Sequence, residues 1–147
     1  MTSKIYVWLI SSYLLAFSIN LIPSLKHPDS HLTFINLLAA SLLLLAFLAG
    51  IKRMLFQAKY HKRAKGILMA GFLSGLLVFG IKMLEETVMN NMALDAIASI
   101  QYPLYLLFIT PFFGMNYLLD LGYGTFSLLV SIVYLLMFAA VIAIKKC

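Results

Sequence analysis

Residues Ala96–Leu119 read AIASIQYPLYLLFITPFFGMNYLL, and the path of this stretch decides the architecture of the chain. An α-helix of its length crosses a hydrocarbon core of about 30 Å at about 1.5 Å per residue. Gln101 and Asn116 are its main polar groups. Pro111 interrupts it: proline donates no N–H and crowds the preceding turn, so the sequence predicts a kink near Leu107–Pro111. Either this run crosses a bilayer, or it dips in and returns.

Four more apolar runs flank it, Ile5–Ile22, Leu32–Ile51, Gly66–Leu84 and Thr125–Ile144. Each has roughly the 18–20 residues that a spanning helix needs. Hydrophobic residues make up 63% of the 147-residue chain and charged residues 11%, against about 25% charged in soluble domains. One water-soluble core of this size cannot hide so much apolar surface. In a bilayer the backbone finds no water, so the spans are expected to be helices. The alternating strands of a transmembrane barrel are not seen in these runs. The fold class expected is an all-α integral membrane protein, a single domain over residues 1–147. The first run is longer than a signal-peptide core and is read as an uncleaved span.

Six of the eleven Lys and Arg residues, Lys52, Arg53, Lys59, Lys62, Arg63 and Lys65, lie within residues 52–65. Such a cluster between two spans marks the cytoplasmic side. Met54, Leu55, Phe56, Ala58 and Tyr60 interleave with these cations, as in a short helix in the headgroup plane. The formal charge of +6 is therefore read as topology plus contact with anionic lipid headgroups at this loop, with no nucleic-acid partner. Five crossings put the C-terminus outside and leave Lys145 and Lys146 on the unfavoured side. Four crossings with a re-entrant Ala96–Leu119 put both termini inside. Re-entrant backbone must be shielded by protein, which four small spans do poorly. The expectation is accordingly five crossings, with the re-entrant arrangement as the alternative.

Gly71-Phe-Leu-Ser-Gly75 is a small-xxx-small pair that lets helix backbones approach closely. Its partner is another span of this chain, a membrane protein or a second copy. Lys82, Glu85 and Glu86, at spacings of three and four, form the one ion-pairing cluster at a span end and a candidate polar or ion site. The plain alternative is a helix end anchored at the interface by a snorkelling lysine. His27, Asp29 and His31 are competent metal ligands but share no helix face, and no metal site is assigned to them. Leu121-Gly-Tyr-Gly-Thr125 resembles the Gly-Tyr-Gly core of the potassium-channel selectivity filter over about five residues. It departs from that family in Asp120-Leu121, which stand where Thr-Val is usual, and in lacking a following Asp. A glycine turn between helices is the reading adopted.

Hydrolase and metalloprotease signatures are absent from the sequence, and no span carries a histidine to activate a nucleophile or bind haem. Neither a catalytic residue nor a cofactor is assigned. The functional expectation is a small, non-enzymatic accessory or regulatory protein of a cell membrane, acting through helix packing with a membrane partner or with itself. The alternative is a minimal transporter or channel component using the Lys82–Glu86 region.

Overall fold

The structure, a computed structural model, describes residues 2–55 and 61–145. All regular structure among them is helical. Helix α1 runs over Thr2–Lys26, α2 over Phe34–Leu55 and α3 over His61–Met83. Two short helices follow, α4 at Glu85–Met89 and α5 at Met92–Ala98. The fourth apolar run opens as α6, Gln101–Leu104, widens into a π-helical turn at Tyr105–Ile109, and tightens into a 3₁₀ run at Thr110–Tyr117. Helix α7 spans Tyr123–Lys145. Five stretches are long and apolar enough to cross a membrane: Lys4–Lys26, Phe34–Arg53, His61–Met83, Met92–Tyr117 and Tyr123–Ile144.

Local chemistry sets the helix starts. The Asn36 side-chain oxygen accepts from the Thr33 backbone N–H at 2.9 Å and from the Thr33 hydroxyl at 2.8 Å. That reach back from the third helical position closes α2 in the manner of a capping box. Asn91 caps α5 through Ala93 N–H at 3.0 Å.

The long helices pair antiparallel. Asn36 meets Asn20 beside the connector between α1 and α2, while Lys4 and Arg53 line one furrow at the opposite, basic end. On α3 and α7, Gly124 lies under the Lys82 stem, Gly75 faces Ser127 and Ser131, and Gly71 faces the Tyr134 ring. α7 therefore starts where α3 finishes and descends toward the basic end.

The fourth run starts and ends at the connector end. Tyr105, early in the run, packs its ring 6.1 Å from that of Tyr123, the first residue of α7. Leu107 and Phe108 then reach mid-bundle, bonded to Tyr13 and Tyr134. Phe113 has already returned, its ring 5.4 Å from His27 and 5.2 Å from Phe126. Asp120 lies 3.7 Å from His27. Length and composition make this run one of the five candidate crossings that the sequence led us to expect, and its contacts bring its two ends to the same end of the bundle. Large side chains surround the bend. Phe112 packs between Phe47 and Tyr134, with centroids at 5.9 and 5.8 Å.

Two expectations change. The basic stretch is largely helix end rather than loop: Lys52 and Arg53 belong to α2, and Lys62, Arg63 and Lys65 to α3. Lys59, Phe56, Ala58 and Tyr60 lie outside the described residues, as do the side chains of Met54 and Leu55. The turn before α7 does not rest on glycine. Among the described residues no glycine has positive φ, and Asp120 adopts φ 47° instead, a conformation that Asp tolerates better than most residues. Gly122 carbonyl accepts from Phe126 N–H at 2.9 Å, so the Gly-Tyr-Gly stretch opens a helix.

A candidate polar site around the bent fourth segment

A backbone that bends inside an apolar bundle leaves carbonyls without donors, and each unsatisfied one is costly. Pro111 defines the first. In an α-helix its N–H would serve the Leu107 carbonyl four residues earlier, and proline has none. The Tyr13 hydroxyl donates to that carbonyl instead, at 2.8 Å. The Tyr134 hydroxyl donates to the Phe108 carbonyl at 3.0 Å, and Asn20 Nδ2 to the Pro111 carbonyl at 3.1 Å. Three side chains on α1 and α7 thus serve three positions around the bend.

A second layer fixes the first. Asn36 Nδ2 donates to Asn20 Oδ1 and to the Ile19 carbonyl, both at 3.1 Å. Ser24 and Thr110 share a hydroxyl–hydroxyl bond at 3.1 Å, and Tyr105 donates to the Ser24 carbonyl at 3.4 Å. Asn116 clamps the exit of the segment, donating to the Leu121 carbonyl and accepting from its N–H at 2.8 Å each. Gly114 permits this closeness, since an added Cβ would lie 1.8 Å from the Asn36 carbonyl oxygen. Among the described residues the buried polar groups are all neutral, namely Asn, Ser and Thr side chains and the hydroxyls of Tyr105 and Tyr134. Such a site can hold backbone in place but offers no charge for acid–base work.

At the rim, Lys82 and Glu85 form the expected ion pair, with side chains 42% and 44% exposed. Lys82 Nζ also lies 5.2 Å from the Tyr123 ring centroid, a cation–π contact. Glu86 is exposed and is not brought into the pair. Gly71 and Gly75 are covered by α7. A methyl group added at Gly71 would lie 2.6 Å from the Tyr134 ring, and one added at Gly75 2.6 Å from Ser131. His27 turns to Asp120 and Phe113. Among the described residues no three His, Cys, Asp or Glu side chains gather to hold a metal ion.

The inward donors Tyr13, Asn20, Asn36 and Tyr134 escaped the sequence reading. Two signals existed: an Asn near each end of the first connector, and a proline that orphans a carbonyl four residues upstream. No family model matches the chain, and no curated protein or solved structure matches it.

Proposed function

We propose that the chain is a multi-pass protein of a cell membrane with four crossings and one re-entrant segment, and that it works as a non-enzymatic accessory component by packing against a membrane partner. The basic end, with Lys4, Lys52, Arg53, Lys62, Arg63 and Lys65, is then cytoplasmic. One observation carries the reading. The interior polar groups are engaged by the segment's own backbone, through Tyr13, Tyr134, Asn20 and Asn36. With α7 covering Gly71 and Gly75, the partner contact falls elsewhere. Met89, Met92 and Ile97 on α4 and α5 are exposed beside Glu85 and Glu86, and methionine surfaces adapt readily to a partner.

A second reading has its own support. Re-entrant segments line many ion and solute pathways, and Lys82 stands at the mouth of this one. The Lys82–Glu85 pair is then a gate or an ion site of a minimal transporter. Two measurements separate the readings. Mild extraction from native membranes is expected to retain a stoichiometric protein partner. Ion or solute flux in reconstituted liposomes above that of empty vesicles would overturn the accessory role in favour of transport.

A further inference from the structure

At the basic end a furrow runs up the outside of the bundle between α1 and α2. Its lower part, about 380 Å³, is lined by Lys4, Trp8, Ala46, Ala49 and Arg53 among others. Its upper part, about 270 Å³, shares Trp8 and continues past Ser12, Leu15 and Leu42. From Lys4 to Leu15 on one wall, and from Arg53 to Leu42 on the other, the furrow climbs about 16 Å. That is one leaflet of a hydrocarbon core about 30 Å thick. Small side chains on α2 form the floor, and Trp8, 66% exposed, sits where an interfacial ring is expected.

Among the described residues no acidic side chain pairs with Lys4 or Arg53. The chain's five acidic side chains, Asp29, Glu85, Glu86, Asp95 and Asp120, lie in the first connector, in α4 and α5 and in the turn before α7, toward the other end. Two cations at the head of an apolar trough one leaflet long suit one class of ligand. We propose that this furrow seats one anionic glycerophospholipid, its phosphate between Lys4 and Arg53 and an acyl chain along Ala49, Ala46 and Leu42. The lipid is a fixed occupant that braces α1 against α2, distinct from diffuse attraction to the rest of the basic end. The proposal rests on the membrane reading above.

The test reconstitutes the whole chain in phosphatidylcholine vesicles with a minor fraction of phosphatidylglycerol, re-extracts it in mild detergent, and counts retained lipids by native mass spectrometry. Preferential retention of one phosphatidylglycerol is expected. Lys4→Gln with Arg53→Gln should lower that retention about thirtyfold, from the loss of two surface cations. Lys62→Gln with Arg63→Gln removes the same charge at α3 and should leave it unchanged. Lys4→Arg with Arg53→Lys should preserve it. Ala49→Phe keeps both charges but fills the trough, and should also abolish retention. Equal losses from the two double variants would overturn the proposal, as would equal retention of phosphatidylcholine or an Ala49→Phe variant that still holds its lipid. Alkaline carbonate extraction tells the two failures apart. A protein that stays in the membrane without a retained lipid overturns this proposal alone, whereas one released by carbonate overturns the membrane reading with it.

Discussion

The Tyr13 hydroxyl donates to the Leu107 carbonyl at 2.8 Å, the acceptor that Pro111 leaves without its helical N–H. The two residues are 94 positions apart, so the first helix supplies what the fourth segment cannot supply for itself. This relationship makes the bend tolerable in an apolar setting, and it can be probed directly.

Tyr13→Phe removes the donor and keeps the ring. It should lower stability by about 1 kcal/mol, the usual size of a hydrogen bond between membrane helices. Unfolding in detergent reads the loss. In a Pro111→Ala background the N–H returns at that position, and the same Tyr13→Phe change should then cost less. Equal costs in both backgrounds would detach Tyr13 from the proline's orphaned carbonyl.

Gly114→Ala is the sharpest steric test. Its Cβ would lie 1.8 Å from the Asn36 carbonyl oxygen and 2.8 Å from Asn20 Oδ1, where neither backbone nor amide can yield without breaking the network. A loss of about 3 kcal/mol or more is expected, on the scale of overpacking a tight core. Wild-type stability in that variant would mean that the segment is not held against α2.

Gly71→Ile and Gly75→Ile should both reduce folded yield, because their added side chains collide with Tyr134 and with Ser127 and Ser131 on α7. The particle size of whatever folds should stay unchanged, since this face is used within the chain. A shift in oligomer size with the monomer still folded would instead make it a self-association face.

Lys82→Ala should cost less than about 1 kcal/mol, as exposed ion pairs usually do. Chemical unfolding of the purified variant measures it. A penalty several times larger would indicate that the pair with Glu85 works in a dry environment, as the transport reading requires.

Much of this was legible in the residues. α1, α2, α3 and α7 follow from apolar length alone, and the break in the fourth segment from Pro111. Hydropathy records how long and how apolar a run is, and Ala96–Leu119 is long and apolar enough to cross, but it does not record the path of the run. The hydrogen-bond network around its bend is distributed between distant residues. Asn20 meets Pro111 across 91 positions and Ser24 meets Thr110 across 86, and each looks like an isolated polar residue in its own run. Gly71 and Gly75 announced a close approach without naming Tyr134 and Ser131 as what approaches. The turn misled because Gly122 and Gly124 are the usual bearers of positive φ, while Asp120 carries it here.

The proposed re-entrant path is tested most directly by cysteine accessibility on either side of it. With Cys147→Ser removing the native thiol, Asn91→Cys reports the stretch before the segment and Asp120→Cys the stretch after it. Asp120 is well suited, its side chain 96% exposed. Four crossings predict that a membrane-impermeant maleimide labels both single-cysteine variants in intact cells. Labelling of Asn91→Cys in intact cells, with Asp120→Cys labelled only after permeabilisation, would mean that the fourth segment crosses, and would contradict the re-entrant fold.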